Sequence, residues 1–209
     1  MMVNAPQPRP IDRPDQLASL ASPLRQEIVD VISAAGPCAI ADVAGLLGRP
    51  ADRLYFHFKH LCACGLLREV DSRKNGRHVA AVFDLAHRPM RLKYRPQDAA
   101  NVEGVRGVFD GVLRLARRDF RRALESGEAV VEGATRDTWG GRVKGWLTDA
   151  QIKEVNQKVE EIWQLVGSAR PRPGARPIAL TLALAPESDT SAGAAARSGR
   201  KQAERSTRT

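Results

Sequence analysis

No apolar run in this sequence approaches the ~18 residues that a bilayer-spanning helix needs, so a membrane-embedded chain is not expected. Residues 1–10 carry several prolines and lack the apolar stretch of a secretory signal. Cysteine is scarce: three cannot all pair, and Cys38, Cys62 and Cys64 fall within helical patterns rather than a disulfide framework. These absences lead to the expectation of a cytoplasmic protein with reduced thiols. No nucleophile, base and orienting residue stand at a readable spacing, and there is neither a glycine-rich phosphate loop nor a metal-hydrolase pattern. An enzyme is therefore not expected, and no catalytic residue, cofactor or metal ligand is assigned.

Positive charge is what the sequence has in excess. Among 209 residues there are 33 Lys and Arg against 24 Asp and Glu, a formal net charge of +9. That imbalance favours an anionic partner, and composition alone leaves nucleic acid and an acidic membrane surface both open. With 43% hydrophobic and 27% charged residues the chain has the composition of a globular protein with a real core.

Turn residues divide the first half into short elements. Ser22-Pro23 opens a helix in which Leu24, Ile28, Val31, Ile32 and Ala35 recur at helical spacing, and Gly36-Pro37 stops it. A short helix with Leu17 and Leu20 precedes it. A further helix over Ile40 to Leu47 ends at Gly48, and another over Ala51 to Cys64 ends at Gly65. Leu66–Val70 and Val79–Leu85 read as strands around an Asp71–Gly76 turn, in which Asn75-Gly76 supplies positive φ. Three helices followed by a hairpin is the layout of a winged helix-turn-helix.

The second half has a different rhythm. From Asp98 to Glu125 the apolar residues Val102, Val105, Phe109, Val112, Ala116, Phe120 and Ala123 alternate steps of three and four, as in a coiled-coil seam. Thr148–Gln151 is a capping box that opens a helix striped by Ile152, Val155, Val159, Ile162 and Val166. Thr138–Trp146 and Ile178–Leu184 read as strands. The expected organisation is a flexible leader (1–13), a winged helix-turn-helix domain (14–96), a C-terminal domain for dimerisation and effector binding (97–186) and a disordered tail (187–209). The fold class is mainly α with small β-hairpins (α+β), the C-terminal domain being helical with a few antiparallel strands. The helices over 98–125 and 148–166 are expected to make a homodimer.

A helix-turn-helix reads DNA because one exposed helix fits the major groove while a second holds it there. The reading helix needs a tight turn before it, an apolar inner side and a polar or basic outer side. Gly48-Arg49-Pro50 supplies the turn, and Leu54, Phe58 and Leu61 the inner side. Arg53, Tyr55, Phe56 and Lys59 lie off that stripe, near the helix start. The hairpin tip presents Arg73, Lys74 and Arg77, a wing suited to gripping phosphate or the neighbouring minor groove. Over residues 49–78 seven basic residues face three acids, Asp52, Glu69 and Asp71.

The runs S-P-L-R-Q-E-I-V-D-V-I (22–32), A-D-V-A-G-L-L-G (41–48), L-Y-F-H-F-K-H-L-C-A-C-G-L-L (54–67) and N-G-R-H-V-A-A-V-F-D-L (75–85) resemble the winged helix of the ArsR-type repressors. The L-Y-F-H-F block is similar to the L-Y-Y-H-L form of that superfamily. The resemblance implies a homodimer that sets two reading helices on a palindromic site. Carried over residue by residue, it implies that Asp52, Arg53, Tyr55, Phe56 and Lys59 face DNA and that His57 packs inward. Ala39 and Pro50 stand where the family caps its two helices with Ser or Thr, a loss of about 1 kcal/mol each. The family's phosphate-binding hydroxyls are also missing here, and Arg49 and Arg53 stand in their place.

Relatives of that type sense soft metals through thiolates, but residues two apart on a helix diverge by ~200°, so Cys62 and Cys64 read as small core residues. His57, His60 and His78 find no convincing further ligands. Arg114, Arg117, Arg118, Arg121 and Arg122 read as the solvated side of an amphipathic helix, with contact to flanking DNA as the alternative. Trp139, Trp146 and Trp163 read as core, with an effector pocket as the alternative. The expectation is a regulator that binds double-stranded DNA, with no membrane partner and an unknown effector. The alternatives are a winged helix serving protein or RNA contact, and a thiol- or metal-responsive repressor of the same fold.

Overall fold

The computed structural model describes residues 10–75 and 78–187. Within them the architecture is α+β, six α-helices and one antiparallel sheet of three short strands. Helices α1 (Pro14–Leu20) and α2 (Pro23–Ala35) each place proline in the first turn, where no amide donor is missed and φ is preset. Leu17, Leu20, Ile28, Val29 and Ile32 turn inward. Gly36, at φ 87°, ends α2 in a conformation that side chains resist. Arg88 closes that helix end: its Nη2 donates to Ile32 O (2.9 Å) and its Nη1 to Ser33 O (3.0 Å), while Asp84 holds the same guanidinium at 2.6 Å.

Strand β1 (Cys38–Ala39) leads directly into helix α3 (Ile40–Leu47). Cys38 thus belongs to a strand and not to a helical pattern. Ala39 has no side chain to cap the first amides of α3, and the one capping bond there is the reciprocal one: Asp42 accepts the Ala39 N–H at 2.9 Å. Gly48 then adopts the left-handed conformation, and the Arg49 N–H returns to Ala44 O at 2.9 Å, a Schellman closure. The helix expected over Ala51–Cys64 is two pieces: a 3-10 turn (Ala51–Arg53) and helix α4 (Tyr55–Ala63). With no hydroxyl cap at Pro50, the first amides close tightly, Leu54 N–H on Ala51 O (3.0 Å), before Phe58 N–H on Leu54 O (3.0 Å) opens the α-helical ladder.

The sheet order is β1, β3 (His78–Leu85), β2 (Leu67–Asn75), with Cys38 opposite Phe83 and Leu67 opposite Leu85. Strand β2 continues five residues past the expected turn at Asp71. A bulge between Glu69 and Asp71 shifts the alternation by one, so the polar continuation no longer reads as strand. The core gathers α1 to α4 over the sheet, and Phe58 meets Phe83 edge to face at 5.1 Å between ring centroids. The chain before α1 joins it: Ile11 is buried, its N–H donates to Arg91 O (2.8 Å) and its carbonyl accepts from Lys93 N–H (2.9 Å). The leader expected over 1–13 is thus held in place at Ile11; residues 1–9 lie outside the described residues.

Helix α5 (Ala99–Ser126) starts where Asp98 accepts the Asn101 N–H at 3.1 Å. Buried Asn101 pins the approach to the helix, accepting from Arg95 N–H (2.7 Å) and donating to Lys93 O (3.0 Å). The helix then packs on α1 and α2 through small residues. A Cβ on Gly104 would stand 2.8 Å from Leu17 Cδ1, and one on Gly111 would stand 3.0 Å from Ala21 O. Its buried residues, Asn101, Val108, Gly111 and Leu115, are centred roughly 100° around the helix from the expected seam, at ~100° per residue. Phe109 and Phe120 of that seam, with Leu113 and Leu124 beside it, stay exposed.

Helix α6 (Asp149–Ser168) opens with the expected capping box, Gln151 N–H on Thr148 Oγ1 and Thr148 N–H on Gln151 Oε1, yet buries no residue. Neither expected C-terminal strand is present. Residues 138–146 and 178–184 form no strand, and the sheet edges β1 and β2 take no further partner among the described residues. Extended apolar chain becomes a strand only against another edge; here ion pairs of Arg176 with Asp137, and of Arg142 and Lys144 with Glu187, tie the two segments instead. The tryptophans expected in the core are on the surface: Trp139, Trp146 and Trp163 are all exposed. No helix among the described residues is long and apolar enough to cross a membrane.

Candidate nucleic-acid interface

The inner side of the turn-and-helix unit is made by Leu54, Phe58 and Leu61, all buried to the level of the core. Holding that side inward turns Asp52, Arg53, Tyr55, Phe56 and Lys59 outward, since the 3.6-residue period leaves them off the stripe. All five are exposed. Tyr55 and Phe56 are 61% and 70% accessible, large apolar rings that gain nothing from water. His60 is tilted beneath the Phe56 ring at 6.4 Å and His57 meets its edge at 5.9 Å, so an imidazole pair braces the ring from the helix side.

His57 is half-buried and its Nδ1 is enclosed without a hydrogen-bond partner. Burial pushes its pKa below the ordinary histidine value, and the charges of Arg25, His60 and Arg49 press the same way. It is therefore a neutral packing residue, as the resemblance implies, and not part of the exposed cationic surface.

Arg49 sits in the turn between α3 and the 3-10 turn, exposed, with its Nη2 at 3.5 Å from Glu27. Arg73 and Lys74 lie near the end of β2, exposed as well, and Arg73 Nη1 stands 3.3 Å from Asp42 at the start of α3. That ion pair ties the hairpin arm to helix α3, a contact no sequence pattern announced. Arg77 lies outside the described residues. Eight of the nine candidate residues thus fall on the exposed turn, the Ala51–Ala63 segment and the hairpin arm, which also carry the exposed acids Asp52, Glu69 and Asp71, while Asp42 engages Arg73.

The alternatives read from Cys and His find less. Cys38 and Cys64 are buried and Cys62 half-buried, and all three are free thiols. Burial pushes the Cys38 and Cys62 thiols up, away from the thiolate a soft metal needs. Among the described residues no three His, Cys, Asp or Glu side chains gather as a metal site. A cavity of about 340 Å³ lies elsewhere, between Ile11, Gln16, Leu66, His87 and Met90.

Residues missed at the level of sequence are Glu27, Asp42 and Arg118. Glu27 joins the turn to α5, accepting from Arg49 and, at 2.7 Å, from Arg118 Nη2. Their pairings span 22 to 91 residues of chain, which no local spacing can report. No family model matches the chain, and no curated protein does.

Proposed function

We propose that the protein is a sequence-specific DNA-binding transcriptional regulator, a winged helix-turn-helix that binds a palindromic operator as a homodimer. One observation carries this reading: the outer side of Ala51–Ala63 is exposed, basic and aromatic, with the cationic arm of the hairpin beside it. In this reading α4 enters the major groove from its N-terminal end. Arg53 and Lys59 reach base edges, with Asp52 available to accept from a cytosine amine, and Tyr55 and Phe56 offer apolar contact to thymine methyls. Arg49, Arg73, Lys74 and Arg77 grip phosphates, which sets register and affinity but carries no sequence information.

The second copy is supported by α5. Its inner face is already spent on α1 and α2, yet Phe109, Leu113, Phe120 and Leu124 form another, largely exposed apolar stripe, covered only at Phe120 by the backbone of Gly140 among the described residues. A dimer formed there places two reading helices about one DNA turn apart, ~34–36 Å.

Fluorescence anisotropy with duplexes tiled across the region upstream of the protein's own gene tests the reading. Affinity is expected to fall steeply with salt, with one duplex preferred. Arg53→Ala is expected to cost ~1–3 kcal/mol on that duplex and less on mixed sequence. A flat salt response, or tighter binding to a single-stranded RNA of matched length, would overturn it.

A further inference from the structure

Among the described residues, Glu27 is the one carboxylate that touches both the turn before the reading helix and the C-terminal half. It sits on α2 with 13% of its side chain exposed, among the most enclosed ion-paired acids in the molecule. Two guanidinium groups share its charge, Arg118 through Oε1 and Arg49 through Oε2. Arg118, on α5, donates at 2.7 Å; Arg49 stands at 3.5 Å, the outer limit of a hydrogen bond. Arg118 is itself steadied by Asp119, whose Oδ1 accepts from its Nε (2.9 Å) and Nη2 (2.6 Å).

An enclosed carboxylate needs a cation, and whichever guanidinium binds it closely loses most of its outward field. In this arrangement α5 holds Glu27 and leaves Arg49 loosely paired, free to turn to an anion. Were Arg118 withdrawn, the whole charge of Glu27 would fall on Arg49. The opposite side of α5 carries the largely exposed apolar stripe of Phe109, Leu113, Phe120 and Leu124, so whatever moves α5 also moves Arg118.

We propose that Glu27 is a shared counter-ion that sets how much of the charge of Arg49 reaches phosphate, and that Arg118 is the competitor through which α5 governs it. Glu27 and Arg118 are positioning residues in this scheme, and neither touches DNA. The proposal rests on the reading of Arg49 as a phosphate contact.

Opposite signs test it. The probe is a fluorescent mixed-sequence duplex of about 30 base pairs, titrated over a range of salt with the full chain. Glu27→Gln releases Arg49: binding is expected to tighten about threefold, and the slope of log K against log salt to steepen by about one. Arg118→Met gives Glu27 wholly to Arg49, and binding is expected to weaken about threefold. In the double variant the effect of Arg118→Met is expected to vanish. A purely structural role would move both single variants in the same direction, and that result overturns the proposal, as does a Glu27→Gln protein that is folded by circular dichroism yet binds as the wild type does. Should Glu27→Gln fail to fold, Arg118→Met in an Arg49→Ala background decides: an unchanged threefold loss refutes the scheme, and no loss upholds it. If the wild-type chain binds no duplex at all, the DNA reading fails first and this proposal with it. If it binds but the variants show no opposition, only the counter-ion scheme is lost.

Discussion

The two ends of the chain make a contrast. Residues 10–87 bury apolar side chains on every helix from α1 to α4, Leu17, Ile28, Val43 and Phe58 among them, and close a sheet over them, a core to which α5 adds Val108. Residues 127–187 contain a well-capped helix of 20 residues and two further tryptophans, and bury none of them. A helix stays ordered in water mainly through the packing of its apolar face, and the striped side of α6 has little of that packing within this chain. Helix α5 stands between the two regimes, one side in the core and the other open. The lesson is that fold strength and functional incompleteness are segregated along the chain.

The contrast is most easily broken at its strong end. Phe58→Ala should destabilise the protein by ~3–5 kcal/mol in urea unfolding, since the ring is fully enclosed against Phe83. Trp163→Ala, at the weak end, should change the same midpoint by less than ~0.5 kcal/mol. Equal losses would mean that the two ends are not segregated.

At the junction, Gly104→Val should cost about 2–3 kcal/mol. A branched side chain must displace Leu17, and the helix-propensity gain over glycine, below ~1 kcal/mol, does not offset that. Thermal melting reads it directly.

Ile162→Asp tests the open surface. If α6 covers a second copy, the variant should shift the monomer–dimer midpoint at least ~10-fold in analytical ultracentrifugation, about 1.4 kcal/mol, and leave monomer unfolding unchanged. A wild-type monomer at micromolar concentration would remove the dimer from the proposal.

A smaller effect is expected with pH. The folded pKa of His57 lies below its unfolded value of about 6.5. Its contribution is therefore complete above pH ~6.5 and is lost as pH falls through the lower folded value. Between pH 7 and pH 5 the wild type should lose more thermal stability than His57→Leu; parallel losses would contradict the enclosed neutral imidazole. Smallest of all, Arg73→Ala should leave stability within ~1 kcal/mol, because its pair with Asp42 is exposed. The DNA salt slope should nevertheless become shallower by about one.

Much of the self-sufficient end was legible from the residues. Proline at helix starts, glycine at helix ends and the Leu54, Phe58, Leu61 stripe located α2, α3 and α4 because their causes are local. What escaped was non-local or concealed by compensation. Strand β1 is two residues long and exists only because β3 lies beside it. The bulge at Val70 hid the extension of β2, and α3 starts with no hydroxyl cap, held instead by the Asp42 carboxylate on the Ala39 N–H. In the second half periodicity located α5 and α6 but gave no sign of the side of α5 that packs on α1 and α2, because Gly104 and Gly111 leave no hydrophobic signal at the place where helices approach most closely. Ile178–Leu184 has a strand's alternation without a neighbouring edge to complete it.

Sequence alone therefore determined where helices begin and end, which side of the α4 segment is apolar, and that its other side is basic; each follows from the rotation per residue and from capping chemistry. Tertiary structure alone decided that α5 spends its glycine side on α1 and α2, that Arg73 answers to Asp42, and that Glu27 stands between Arg49 and Arg118. Those are relations between residues far apart in the chain, and only the packing of helices brings them within the few ångströms over which charges and close contacts act.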